Sequence, residues 1–279
     1  YLDQKVDLIL GKTVQSIDPA GKSLLLEDGE QIPYDRLILA TGSRSRVLPL
    51  PGFNKRGVFT LRTLTEAQQL KAAMAAAKRA LVVGGGVLGL EAAWAFRAAG
   101  LEVTILENSD RLLPRQLDAT GSRFLEEAVR QAGVTIYRGA AASEIVGEEA
   151  VTGLKLADGQ TIPADLILFS IGVTPNVELA KAAGLEVNQG IVVNQNMQTS
   201  AGGILAAGDV AEFNGQVFGL WSLALEQGKI AGANAVDDRQ TYAMPIPSLY
   251  LIAFDTNVFA VGDPGLESAG EYKKIEVSD

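Results

Sequence analysis

The chain has 279 residues, 47% of them hydrophobic and 20% charged, a folded-domain composition that is long for one domain and sufficient for two. It contains no Cys and no His, which excludes disulfides, Cys- or His-held metals, thiol nucleophiles and imidazole bases within these residues. The formal net charge of −9 argues against a nucleic-acid or anionic-membrane surface.

An all-carboxylate metal site stays open in principle, and none is assigned. The most apolar stretch, 80–96, is broken by Glu91 and four glycines. It reads as a strand–turn–helix rather than a membrane span, and no export signal is seen. The expected location is therefore cytoplasmic.

Residues 24–42 read as a strand with alternating apolar positions, an Asp28-Gly29 turn, a short second strand, and a buried strand ending at Gly42. Residues 154–172 repeat this pattern without a gap. Leu24, Leu26, Asp28, Gly29, Ile32, Pro33, Asp35 and Gly42 match Leu154, Leu156, Asp158, Gly159, Ile162, Pro163, Asp165 and Gly172. Shared turn chemistry alone could account for the Asp-Gly pair. Identities that include the proline and the terminal glycine point to duplication.

Between the copies, Leu81–Val83 is a β-rich run that meets Gly84-x-Gly86-x-x-Gly89. An Ala-rich helix follows to about Ala99, and a strand over 103–106 ends on Glu107. This is a dinucleotide fingerprint in its strand–helix–strand context. Gly84 permits the tight turn, Gly86 a close approach of backbone to pyrophosphate, and Gly89 close helix–strand packing. Val87 and Leu88 complete the loop. Glu107 can accept ribose hydroxyls and repels a 2′-phosphate, which favours NADH; Arg111 nearby tempers that preference. Subtracting the repeat offset from Gly84 places a counterpart loop before Tyr1. The chain is therefore expected to lack the first βαβ unit of its first domain. Residues 271–278 read as the opening of a further strand, which implies truncation at that end too.

Further along, Leu205–Ala207 is a short apolar strand followed by Gly208-Asp209, and a helix begins near Leu220-Trp221 and runs to Ala235. Read alone, Asp209 is a turn or N-cap carboxylate. Likewise Arg62 is a solvated helix-start charge, Glu91 a helix-surface carboxylate, and Thr41-Gly42 a strand exit.

Taken in order, these segments resemble the FAD-dependent pyridine nucleotide–disulfide oxidoreductases, in particular the rubredoxin-reductase and nitrite-reductase flavoprotein branch. Five stations carry the resemblance: Ala40-Thr41-Gly42, Arg62, the loop from Gly84 to Glu91, Gly172-x-x-Pro175 with Asn176, and Gly208-Asp209. The resemblance implies an α/β fold of two doubly wound dinucleotide-binding domains, the NAD domain inserted in the FAD domain. It assigns Ala40, Thr41, Gly42, Arg62, Gly208 and Asp209 to the FAD side and Glu91 to the NAD side, and it sets Gly172 where the chain leaves the NAD domain. Trp221 would touch FAD, or else be an ordinary buried anchor.

The implied domains are residues 1–66 and 176–237 for FAD, 67–175 for NAD, and 238–279 for the start of a third domain. The implied activity is hydride transfer from NADH to FAD, then electron release to a protein acceptor such as rubredoxin. The cofactors, FAD and NAD(H), carry the chemistry, so no catalytic side chain is named. An NADH oxidase, or a disulfide or CoA-disulfide reductase with its Cys outside this chain, stays open. So does a non-catalytic nucleotide-binding scaffold. These 279 residues alone are expected to bind NADH without retaining FAD. The one tight basic cluster, Arg44, Arg46, Lys55 and Arg56, could steer an acidic partner or be a solvated loop.

Overall fold

In a computed structural model describing residues 6–246 and 248–262, the chain forms two compact units. Among the described residues, one holds 6–44 and 173–245, and the other 45–172, 246 and 248–262. The strand read at 271–278 lies outside the described residues.

The first unit opens with an antiparallel meander of β1 (Val14–Asp18), β2 (Ser23–Leu26) and β3 (Gln31–Pro33). Its turns form for local reasons. Asp18 accepts the amides of Ala20 and Gly21, and Gly29 takes φ +88° after Asp28, which accepts the Glu30 amide. Next come β4 (Leu37–Leu39) and β5 (Ser43–Ser45), where the chain leaves this unit.

The second unit comprises β6 (Val58–Phe59), α1 (Leu64–Met74), β7 (Arg79–Val83), α2 (Val87–Ala98), β8 (Glu102–Glu107), α3 (Ala119–Gln131) and β9 (Thr135–Arg138). A meander of β10 (Ala142–Val146), β11 (Gly153–Leu156) and β12 (Thr161–Pro163) then leads into β13 (Leu166–Phe169). The central sheet runs β6-β13-β7-β8-β9, all parallel. Alternation along β7 divides its residues between two cores. Ala80 and Val82 join Leu90, Ala93 and Phe96 of α2, whereas Leu81 and Val83 join Ile145, Leu154 and Ile162 from the meander side. A parallel sheet covered on both faces needs this unbroken apolar run. Each such Leu or Ile contributes roughly 1.5–3 kcal/mol when fully buried.

The chain returns to the first unit with β14 (Val173–Pro175), α4 (Glu178–Ala182), β15 (Ile191–Val193), β16 (Ile204–Ala206), β17 (Ala211–Phe213) and α5 (Trp221–Ala235). β16 lies parallel to β4, with Ile204 beside Leu37 and Ala206 beside Leu39. Finally β18 (Ser248–Ala253) and β19 (Thr256–Val261) form a hairpin. Leu251, Ala253 and Phe254 of this hairpin are buried in the second unit's core, and the Phe254 ring lies 5.4 Å from that of Trp94 on α2.

By contact, the units divide at 44/45 and 172/173, where the motifs suggest 66/67 and 175/176. Residues 45–66 fall with the second unit because β6 pairs with β13, and 246–262 do so because the hairpin packs on α2. Among the described residues no helix is long and apolar enough to cross a membrane.

Both meanders carry the same irregularity. A register shift between Val14 and Ser16 opposite Leu26 and Leu25 is matched between Ala142 and Glu144 opposite Leu156 and Lys155. Leu26 and Leu156 are repeat mates. The spacing from Val14 to Ala142 is two residues shorter than the repeat offset, because the hairpin turns differ in length. The duplication thus extends one strand further than the gapless alignment reaches.

Helix α1 begins with a capping box: Thr63 Oγ1 accepts the Glu66 amide at 3.2 Å, and Glu66 accepts the Thr63 amide at 2.7 Å. Glu66 also accepts from the Thr60 hydroxyl at 2.6 Å and the Arg62 amide at 2.9 Å. The Thr60 hydroxyl, then the Thr63 and Arg62 donors, hold its carboxyl below the ordinary 4.5. A depressed carboxylate contributes stability above its unfolded value and loses it as pH falls through the lower folded value. Glu66→Gln should therefore cost about 1 kcal/mol near pH 7. The gap from the parent in denaturant unfolding should close as pH falls below about 4.5.

Candidate functional site

In the second unit, the loop after β7 is shaped by what glycine alone allows. Gly84 has φ +117°, and a Cβ there would collide with the Ser170 carbonyl. A Cβ at Gly89 would collide with the Gly84 carbonyl and sit 3.4 Å from Val82 Cγ1. These two glycines are therefore required by packing. Gly86 differs, since a Cβ there would meet nothing within 4 Å. It is the N-cap of α2, without a side-chain cap and without an acidic residue in the first turn. The orphan amides of that turn, with the positive end of the helix dipole, suit an anion such as a pyrophosphate. Val87 is half-buried, Leu88 is exposed, and Glu91 is exposed one turn into α2.

Glu107 closes β8 beside this loop. Its Oε2 accepts the Gly85 amide at 2.6 Å, and its Oε1 accepts the Ser109 amide at 2.7 Å. Both oxygens are thereby oriented, and each keeps lone pairs for a sugar hydroxyl. The Gly85 carbonyl accepts the Leu113 amide at 3.1 Å, so the segment after Glu107 folds back onto the glycine loop. Leu113 does this in a left-handed conformation, φ +47°, with its side chain fully buried. For a bulky residue such a conformation costs on the order of 1–3 kcal/mol, and it persists where packing dictates it.

In the first unit, parallel pairing of β4 and β16 brings their carboxyl ends together, the usual position for a ligand in this kind of sheet. The Ala207 amide donates to the Leu39 carbonyl at 3.1 Å. That contact sets Ala40, Thr41 and Gly42 beside Gly208 and Asp209. Asp209 Oδ2 accepts the Ser43 hydroxyl at 2.8 Å. Gly208 has φ +81°, and its amide donates at 2.8 Å to Gln227 Oε1, from a side chain buried in α5. Small residues, a backbone turn and a carboxylate at this edge suit a sugar-like chain of hydroxyls and a flat ring.

Asn176 ties the exit from β4. Its side-chain amide donates to the Thr41 carbonyl at 2.8 Å, its backbone carbonyl accepts the Thr41 hydroxyl at 2.7 Å, and its own N–H donates to the Gly42 carbonyl at 3.0 Å. Arg44 donates to Asn176 Oδ1 at 2.8 Å and pairs with Glu178 at 2.7 Å. Trp221, first residue of α5, is 81% exposed, so the reading as a buried anchor does not hold.

The sites named from sequence thus fall into two sets. Ala40, Thr41, Gly42, Gly208, Asp209 and Trp221 belong to the first unit; Gly84, Gly86, Val87, Leu88, Gly89, Glu91 and Glu107 belong to the second. Arg62 and Gly172 also count with the second unit. Arg62 precedes the N-cap of α1, and Gly172, at φ +90°, accepts the Arg46 amide at 2.9 Å. Gln227 and Ser43 were not singled out. Their only sequence signal is a polar residue inside an apolar helix face and a hydroxyl following the Ala-Thr-Gly run.

The family model described as "Pyridine nucleotide-disulphide oxidoreductase" matches residues 1–228. A nitrite reductase [NAD(P)H] from Bacillus subtilis (strain 168) is 36% identical over 280 residues, an alignment covering 100% of this chain and 34% of the relative. The chain therefore spans about a third of that relative's length. A ferredoxin reductase from Rhodopseudomonas palustris superposes with a TM-score of 0.88 at 36% identity, over 95% of this chain and 67% of that one. An NADH:rubredoxin oxidoreductase from Clostridium acetobutylicum gives 0.80 at 29% identity, over 99% and 69%.

The glycines separate packing from binding. Gly84→Ala should lower stability by more than about 1 kcal/mol through strain and collision. Gly86→Ala should leave the melting temperature unchanged while weakening dinucleotide affinity, read by thermal melting and equilibrium titration of both variants.

Proposed function

The chain belongs to the pyridine nucleotide-disulphide oxidoreductase family, and on that premise we propose that its protein passes reducing equivalents from NADH through FAD to a protein acceptor. FAD and NAD(H) are the cofactors of this family. When bound, they supply hydride transfer from the nicotinamide to the flavin. The observation that carries the reading is the pairing of an uncapped helix start at Gly86 with the doubly oriented carboxylate of Glu107.

On this reading the chain's residues bind and orient. The α2 amides hold the coenzyme pyrophosphate, and Gly84 and Gly89 keep the loop low enough for backbone to reach it. Glu107 accepts the adenosine-side ribose hydroxyls. A 2′-phosphate at that position would meet its negative charge, so NADH is preferred to NADPH. In the first unit, Asp209 and the turn at Gly208 accept the ribityl side of FAD, with Ala40, Thr41 and Gly42 against the ring system. Trp221 offers an exposed aromatic face at the start of α5. Arg62 and Glu91 are assigned to the FAD and nicotinamide sides on the family resemblance.

The acceptor is proposed to be rubredoxin or a downstream redox centre of similar small size. The relatives support this class: their names include a nitrite reductase, a ferredoxin reductase and an NADH:rubredoxin oxidoreductase. The cytoplasm, where NADH is regenerated, is the proposed location. With no Cys in the chain, a disulfide-reductase role would need a thiol from outside it.

The purified full-length protein should be yellow and should bleach when NADH is added anaerobically; a colourless full-length protein that cannot be reconstituted with FAD would sink this reading. Glu107→Arg should shift coenzyme preference toward NADPH by about tenfold or more, an effect on the order of 1.4 kcal/mol. Steady-state kinetics with both coenzymes check it, and an unchanged ratio would remove Glu107 from this role.

A further inference from the structure

The segment that follows Glu107 is gripped from behind by a charged pair. Glu126 on α3 is a carboxylate whose side chain is only 8% exposed, and it accepts from Arg138 Nη1, at the end of β9, at 3.1 Å. The same Nη1 donates to the carbonyl of Asp110 at 3.1 Å. The next residue, Gly139, donates its amide to the Ser109 carbonyl at 2.9 Å. Ser109 in turn gives its own amide to Glu107 Oε1. On the far side, the buried hydroxyl of Ser122 on α3 donates to the Leu112 carbonyl at 2.8 Å. A continuous set of contacts therefore runs from Glu126 through Arg138 and 109–110 to the Glu107 carboxylate.

If holding α3 against β9 were the whole task, this pair would be a poor choice. Burying the Glu126 carboxylate carries a desolvation cost that contact with Arg138, whose side chain is 44% exposed, offsets only in part, and an apolar residue at 126 would not incur it. What an apolar pair cannot supply is a directed donor for the Asp110 carbonyl. The charged pair thus fixes the backbone path of the segment on which one of Glu107's two orienting amides lies.

We infer that Glu126 and Arg138 are positioning residues for coenzyme recognition: through Asp110 and Ser109 they set the orientation of the Glu107 carboxylate at the coenzyme ribose. The inference rests on the proposed role of Glu107. Neither residue is assigned contact with the coenzyme.

The test is a double-mutant cycle on the whole chain, with NADH affinity read by fluorescence titration and folding by thermal melting. Glu126→Leu combined with Arg138→Met removes both charges, so no lone charge is left buried. This change should weaken NADH binding about tenfold in the parent, within the range found for coupled neighbours. In a Glu107→Ala background the same change should alter affinity by less than about twofold, because the group it positions is gone. An equal loss in both backgrounds would overturn the inference, since a purely structural role does not depend on Glu107. An unchanged affinity in the parent background would overturn it as well. Should the apolar pair fail to fold, Glu126→Gln with Arg138→Gln keeps two polar groups in place and is held to the same two outcomes. Failure of the underlying reading looks different: Glu107→Ala alone would then bind NADH as tightly as the parent.

Discussion

Both oxygens of Glu107 are bonded to backbone, one to Gly85 in the glycine loop and one to Ser109 at the start of the next segment. Charge-assisted bonds to amides are among the stronger contacts available to a carboxylate. Here they join the strand that ends at Glu107, the loop before α2, and the segment that leads into α3. The turn at Gly84 depends on the same junction, because the Gly84 amide donates to the Leu106 carbonyl at 2.8 Å, beside Glu107. The open helix start at Gly86 follows from that turn. A coenzyme hydroxyl arriving at Glu107 would meet an acceptor already aimed, and little ordering would remain to be done on binding.

The two units solve similar problems with different means. In the second, backbone amides and an uncapped helix end present donors suited to an anion. In the first, the carboxyl ends of β4 and β16 bring a carboxylate, small residues and a glycine turn to one edge. Each unit has a meander with the same register shift. β13 has neighbours on both sides, β6 and β7, whereas among the described residues its repeat mate β4 is hydrogen-bonded only to β16.

Much of this was legible in the residues because glycine and Asp-Gly turns carry strong local constraints. Gly84 and Gly89 were read as turn and packing glycines, and their surroundings leave no room for a Cβ. The repeat shows in Asp28-Gly29 and Asp158-Gly159 with their following prolines. Its first strand lies outside any gapless match because the preceding hairpin turns differ by two residues. The segment 108–117 gave no warning. Its fold depends on Leu113 in a left-handed conformation and on Arg138 arriving from a distant strand, and neither leaves a periodic signal. The hairpin at the end of the described chain buries Leu251, Ala253 and Phe254 in the core that α2 shares, and Phe254 takes a left-handed turn position, φ +55°, that usually favours Asn or Gly, so no local signal announces it.

A dinucleotide held at the α2 end of the second unit, with its ribose at Glu107, would shield a specific set of amides. Amide hydrogen exchange of the chain with and without saturating NADH tests the location directly. Slowed exchange is expected at Gly85, at the first turn of α2 and at Ser109, with no change at Gly208 and Asp209. Protection confined to the first unit, or none at any of these amides, would contradict it.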